Sequence, residues 1–330
     1  MKIGFYRNAL IGDNLVALPA IYTIKALYPT CKLVVYTNDI GMGLYKDFDF
    51  IDELFDLSNH TFEQTLQHIN SWEFDEFILT QPIKPHCNLL GKSNAKRVIS
   101  LLSPRNFYRL KFHNIFISRN FDSTPQYKRL LKLVREIDRK VFDAKFETID
   151  FSPITLKPKE HNFEFAQKFL DSCNANSFKH RVMINPYSRT CSHSLTPRGW
   201  LELITILAES YADVLFIIPT YEGNPQSFDF PKLENLKLFY NTLDLFNLVA
   251  LTSKIDLLIS PSTGNAHIAN NLKIPLLGIF SKRDTMLWRG ENMELKNLIV
   301  VPKERGKLKV EDENQIISQV LERFDALYKH

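Results

Sequence analysis

No stretch of this 330-residue chain approaches the roughly 18 uninterrupted apolar residues that a bilayer span needs, so no membrane-crossing helix is expected. Cysteine is scarce. Cys31, Cys87, Cys173 and Cys191 lie far apart, without C-x-x-C or Cys/His ligand spacing, which argues against a zinc site and a disulfide framework and for buried or inert thiols. No repeat and no low-complexity tract is visible. The opening Met1-Lys2-Ile3-Gly4-Phe5-Tyr6-Arg7 runs straight into polar Asn8 and Asp13 and lacks the apolar core and cleavage site of a signal peptide, so a cytoplasmic chain is expected. What remains is an ordinary globular composition, 45% hydrophobic and 24% charged, long enough for two domains.

Charge is unevenly spread. The net charge is +4, yet residues 92–145 hold fourteen Lys and Arg against Asp122, Glu136, Asp138 and Asp143, an excess of ten. Such a segment attracts polyanions: nucleic acid, an anionic membrane face or a phosphorylated substrate. Any one of these cations also fits a solvated helix face.

Short apolar runs alternate with helical patterns. Residues 2–6, 32–36 and 76–79 read as strands, and 15–27 as a helix, with Pro19 early enough to be tolerated. The grammar restarts later with strands at 182–184, 214–218, 255–259 and 275–280, and helices at 197–209, 243–252 and 264–271. This βαβ alternation predicts an α/β chain of two doubly wound domains with mostly parallel sheets. The first is placed at 1–155 and the second at 181–330. A linker is placed at 156–180, around Pro158, a short helix at 163–170 and the polar Asn174-Ala175-Asn176-Ser177. The last helix, about 311–328, is expected to pack back on the first domain.

Open α/β sheets bind ligands at the carboxyl ends of their strands, near a topological switch point. Loops 7–14, 81–87, 185–196, 219–225, 260–267 and 280–289 are therefore the candidate site. Leu257-Leu258-Ile259-Ser260-Pro261-Ser262-Thr263-Gly264-Asn265-Ala266-His267 reads as a buried strand, a tight turn on Gly264 and a helix start. Exposed backbone N–H groups and the helix dipole there suit a phosphate, although Ser262 or Thr263 as an ordinary N-cap is the commoner use of such a turn. In Arg7-Asn8-Ala9-Leu10-Ile11-Gly12-Asp13-Asn14, Gly12 permits a sharp turn, and Asp13 is either a general base or, like Asn14, a helix cap.

Gly12-Asp13 followed by Ala17-Leu18-Pro19-Ala20, and Ser262-Thr263-Gly264-Asn265-Ala266-His267-Ile268-Ala269, resemble the paired signatures of glycosyltransferase family 9, the ADP-heptose:lipopolysaccharide heptosyltransferases. Ile184-Asn185-Pro186, Trp200, Pro219-Thr220-Tyr221-Glu222 and Asn241-Thr242-Leu243 follow in family order, so the resemblance covers nearly the whole chain. It implies a GT-B fold, two Rossmann-like domains facing across a cleft, and an inverting, metal-independent transfer of heptose from ADP-heptose to the Kdo or inner-core region of lipopolysaccharide. It makes Asp13 the base and Glu222 the ribose-binding acid. Thr263, Gly264 and His267, with Ser262 and Asn265 beside them, become the diphosphate loop, though a buried structural role for His267 stays open. No cofactor and no metal are implied.

Two positions depart from the family pattern. Ser262 stands where an Asp is usual, and the stretch Arg189 to Pro197 lacks the lysine that neutralises the diphosphate. Arg189 is the first substitute, with Lys282 and Arg283 as alternatives, because a guanidinium can bind phosphate oxygens bidentately. The resemblance assigns the acceptor to the first domain, with Gly12, Lys84, Lys92, Lys96, Arg97, Arg105, Arg109 and Lys111 as its candidate contacts. Kdo-lipid A and the anionic inner face of the bacterial inner membrane are the expected partners, and the location is cytoplasmic and peripheral; nucleic acid is not expected. Phe107, Tyr108 and Phe112 suit either that interface or a core. A same-fold enzyme with another sugar donor or acceptor is the alternative, and a basic nucleic-acid or membrane-binding module a remote one.

Overall fold

The computed structural model of the chain describes residues 1–117, 124–188, 194–226, 228–302 and 308–328. The chain divides into two units, Met1–Thr155 and Leu156–His330. In the first, β1 (Lys2–Arg7), α1 (Ile11–Leu27), β2 (Lys32–Thr37), α2 (Asp39–Tyr45), β3 (Glu53–Asp56), α3 (Phe62–Trp72), β4 (Glu76–Leu79), α4 (Lys84–Lys92), β5 (Arg97–Leu101) and β6 (Phe112–Ile115) are followed by α5 (Gln126–Arg135) and α6 (Arg139–Lys145). Its six strands are parallel in the order β3-β2-β1-β4-β5-β6.

The second unit contains α7 (Glu160–Ser172), β7 (His180–Ile184), α8 (Pro197–Ser210), β8 (Val214–Tyr221), β9 (Leu236–Asn241), α9 (Leu245–Thr252), β10 (Leu257–Pro261), α10 (Gly264–Asn271), β11 (Leu276–Ser281), α11 (Lys282–Leu287), β12 (Leu298–Val301) and α12 (Val310–Tyr328). Its strands lie in the order β9-β8-β7-β10-β11-β12, the same plan as the first unit. In each all-parallel sheet the direction in which successive strands are added therefore switches once, between β1 and β4 and between β7 and β10. Those are the two positions where a doubly wound sheet opens a crevice at its strand ends.

The central strands are apolar on both faces because helices cover both. Ile3, Phe5, Val34, Phe77, Ile78 and Val98 are fully buried in the first unit, and Val182, Phe216, Ile259 and Ile279 in the second. Trp200 on α8 joins the second core.

Two expectations are corrected here. Helix α1 begins at Ile11, so Pro19 sits within it rather than in its first turn. A proline there removes one backbone hydrogen bond, and burial of Ala17, Leu18, Ala20 and Ile21 around it supplies the compensating packing. The segment 156–180 is part of the second unit and not a free connector: α7 packs on α9, Asn162 Nδ2 donates to Asp244 Oδ2 and Asn247 Oδ1, and Phe169 meets the Phe239 ring edge-on. In the second unit, Ile316, Ile317, Val320 and Phe324 of α12 enter the core. Buried Glu313 accepts the Thr196 N–H at 2.6 Å, placing a carboxylate at the positive end of α8.

Candidate functional site

In the first unit the switch point is built around a buried arginine. Arg7, the last residue of β1, is 1% exposed. Its Nε and Nη2 donate to the Asp13 carbonyl at 3.1 and 3.0 Å, Nη2 reaches Asp13 Oδ1 at 2.6 Å, and Nη1 reaches Thr80 Oγ1 at the end of β4 at 3.5 Å. The Thr80 hydroxyl donates in turn to the Tyr6 carbonyl. Three consecutive features of the crevice, strand end, helix start and neighbouring strand end, are thus tied by one guanidinium.

Asp13 is not a cap. The N-cap of α1 is Leu10, which offers no side-chain acceptor, and Asp13 stands in the first helical turn with Oδ1 on Arg7. Oδ2 has no hydrogen-bond partner among the described residues, and the side chain is 30% exposed, so this oxygen is available to a ligand. Burial pushes the Asp13 carboxyl above its ordinary range, and the Arg7 charge and hydrogen bond pull it back down; the upward push prevails. Asn14 is not the cap either: its Nδ2 donates to the Ala9 carbonyl, as does Asn38 Nδ2, so the 8–10 loop is pinned from two sides. Gly12 is a buried residue of α1, and its expected sharp turn is absent, since among described glycines only Gly223 has a left-handed φ.

The second switch point centres on Asn185, just past β7. Its Nδ2 approaches Thr263 Oγ1 at 3.0 Å, Ser260 Oγ at 3.2 Å and the Tyr187 carbonyl at 3.2 Å, while Ser260 and Thr263 hydroxyls lie 3.1 Å apart. Thr263 is the N-cap of α10 by backbone position, yet its side chain makes no capping bond. The hydroxyl is turned to Asn185 and Ser260 instead, which leaves the first amides of α10 without a side-chain cap. Gly264 opens the helix and Asn265 follows it. This is an amide-lined helix start held open by a polar triad, and sequence reading had given Asn185 no role.

His267 is buried one turn into α10, edge-on to Trp288 at 6.3 Å between ring centroids. Burial pushes its imidazole from 6.5 down to about 4, so it is neutral at neutral pH. The unfolded chain takes up this proton near 6.5 and the folded one only near 4. Stability tied to His267 is therefore complete above about 6.5 and declines as pH falls toward 4. Denaturant melts across that window should show the slope, and His267→Asn should flatten it; an unchanged slope rejects the assignment.

Other candidates separate by position. Glu222 is exposed directly after β8, at the carboxyl end of the sheet, and Lys282 and Arg283 are exposed in the first turn of α11, after β11. Arg189 and Cys191 lie outside the described residues; Cys31, Cys87 and Cys173 are buried free thiols. Lys84 opens α4 at the carboxyl end of β4, and Lys92 closes that helix with its ammonium over the Phe62 ring.

Several acceptor candidates are otherwise engaged. Lys96 and Arg97 stand at the amino end of β5, the wrong end of the sheet, where Lys96 pairs with Asp75 and Arg97 with Glu76. Lys111 donates to the Ser93 carbonyl at the end of α4, and burial pushes its ammonium down. Arg109 Nη2 donates to Asn88 Oδ1 at 2.6 Å. These last two fasten the β5–β6 crossover to α4.

Residues 139–317, more than half of the chain, match the pattern of Glycosyltransferase family 9 (heptosyltransferase). The chain belongs to glycosyltransferase family 9. Its fold agrees: a family 9 glycosyl transferase from Veillonella parvula superposes with a TM-score of 0.74, at 12% identity, over 97% of this chain and 96% of that one. The ADP-heptose lps heptosyltransferase II of E. coli gives 0.69 at 14% identity over 99% and 98%. The lipopolysaccharide core heptosyltransferase OpsX of Haemophilus influenzae is 26% identical over 157 residues, 46% of this chain and 43% of that protein, so the aligned part is less than half of the relative. Both units of this family 9 chain carry the GT-B type of sheet, with Asp13 at one switch point and the open start of α10 at the other.

Proposed function

We propose that the chain transfers a heptose from ADP-heptose to the Kdo or inner-core region of lipopolysaccharide, with inversion and without a metal. The observation that carries the reading is Asp13: a partly buried carboxylate at a switch point, held by Arg7 through Oδ1 and open at Oδ2, in a family 9 chain. Membership in a family of heptosyltransferases and the likeness to proteins named for ADP-heptose and for the lipopolysaccharide core support the choice of donor and acceptor.

In the proposed reaction, an acceptor hydroxyl attacks the anomeric carbon on the face opposite the diphosphate. Its proton passes to Asp13 Oδ2, the bond from the anomeric carbon to the β-phosphate oxygen breaks, and ADP departs with the electron pair. The amides at the start of α10 receive charge on the diphosphate, and Arg189, Lys282 or Arg283 supplies the cation that the missing family lysine would provide. Glu222 accepts hydrogen bonds from the ribose hydroxyls.

A thermal melt of the full chain tests the donor. ADP-heptose at about 100 times its Kd should add about 2.7 kcal/mol of stability. UDP- and GDP-sugars at the same concentration should leave the midpoint unmoved. Protection by one of those and not by ADP-heptose selects another donor, the reading to which Ser262 and the missing lysine would then belong.

A further inference from the structure

We propose that the crossover between β5 and β6 is a membrane-docking surface, seating Phe107, Tyr108 and Leu110 in the headgroup region of an anionic lipid bilayer. It deepens the function above and rests on that reading only for the identity of the lipid-borne acceptor.

The crossover is irregular backbone with an unusual division of labour. Asn106 is fully buried: Oδ1 accepts the Ser103 N–H at 2.8 Å, Nδ2 donates to the Leu101 carbonyl at 2.9 Å, and its own carbonyl accepts from Asn114 Nδ2 at 3.2 Å. The anchors of Arg109 and Lys111 on α4 hold the far end. A loop fixed at three points nevertheless presents its largest apolar side chains outward. Phe107 is 64% exposed, Tyr108 61% and Leu110 completely, with Leu102 and Phe116 exposed at the adjoining strand ends. The Phe107 and Tyr108 rings meet edge-on at 5.3 Å, and the Arg109 guanidinium lies 5.4 Å from the Tyr108 centroid. Isolated exposed hydrophobics need no explanation, but several on one braced loop do.

Charge selects the occupant. From Phe77 to Phe121 there is no Asp or Glu, while Lys84, Lys92, Arg105, Arg109 and Lys111 are among the cations in that stretch. Lys84 and Arg105 are exposed and have no ion pair among the described residues. Elsewhere the basic excess is partly neutralised, as where Arg135 pairs with Asp143 and Arg139 with Glu136. Apolar aromatics flanked by unpaired cations match the anionic interface, where rings sit at headgroup depth and Lys or Arg meet lipid phosphates. A protein partner of acidic character would pair with the cations but would not require a bare leucine and two rings beside them.

The test is co-sedimentation of the full chain with vesicles of phosphatidylethanolamine and phosphatidylglycerol, against vesicles of phosphatidylcholine alone. Binding to the anionic vesicles is expected, weaker on the neutral ones and weakened by salt. Phe107→Ser with Tyr108→Ser should reduce the partition coefficient by on the order of tenfold or more, and Lys84→Gln with Arg105→Gln by severalfold, whereas Lys140→Gln on α6 should leave it unaltered. Calorimetric ADP binding by the aromatic variant should equal that of the parent chain, so failure of the donor reading and failure of this one appear in different measurements. Unchanged sedimentation of the aromatic variant overturns the proposal. So does a parent chain that ignores anionic vesicles and self-associates through this loop, seen as a dimer in sedimentation velocity that the variant abolishes.

Discussion

Asp13→Ala is expected to lower turnover by about 10²- to 10⁴-fold, the usual contribution of a positioned general base, with ADP affinity retained. The retention follows from topology: Asp13 belongs to the crevice of the first sheet, and the proposed diphosphate contacts belong to the second. Alanine also leaves the buried Arg7 guanidinium without its carboxylate, and breaking a buried pair from one side costs about 3–5 kcal/mol. Asp13→Asn separates the two effects. It keeps an oxygen acceptor for Arg7 Nη2 while removing the negative charge and the ability to take a proton. An Asn variant that melts above the alanine variant, binds ADP normally and turns over at most a hundredth as fast is the expected result. Parental turnover in that variant would return Asp13 to a structural role.

Much of this fold is legible in the amino-acid sequence. The strand at 76–79 and the helix at 264–271 coincide with β4 and α10, because buried parallel strands read as short apolar runs and α10 follows a small-residue turn. What escaped was short or half exposed. Sheet-edge β9 alternates buried Phe239 with exposed Tyr240, and β3 and β6 are mostly half-buried, without the continuous apolar run that makes β4 legible. The site was legible by residue type but not by role. Asp13 and Thr263 both occupy places where capping is the commonest use, and only geometry turns their side chains elsewhere, to Arg7 and to Asn185. The crossover shows the same limit in reverse. Phe107, Tyr108 and Phe112 look alike in sequence, and the structure buries Phe112 while leaving the other two in solvent. The basic stretch likewise reads as one patch until Lys96 and Arg97 prove to be at the opposite end of the strands.

Arg7 is the residue that sequence reasoning passed over, although a signal was present: a lone arginine closing an otherwise apolar strand, six residues before an acid. It acts as a positioning residue, fixing both the backbone carbonyl and one carboxylate oxygen of Asp13. Its charge opposes the upward push of burial on the Asp13 carboxyl. Removing it by Arg7→Met should therefore let that carboxyl rise further. An opposite charge at this range holds a carboxyl down by about 1–3 pH units. The deprotonated form is the active one, so the acidic limb of the kcat profile should move to higher pH by that amount. Turnover at neutral pH should fall to the extent that the shifted limb reaches neutrality, and that loss should return as pH rises. Arg7→Lys restores a cation without the fork that spans carbonyl and carboxylate, so its limb should lie between those of the parent and the methionine variant. A destabilised fold alone predicts a different pattern: lower activity at every pH, with the limb in place. A limb that does not move in a folded Arg7→Met protein would mean that the guanidinium serves the strand end and not the base.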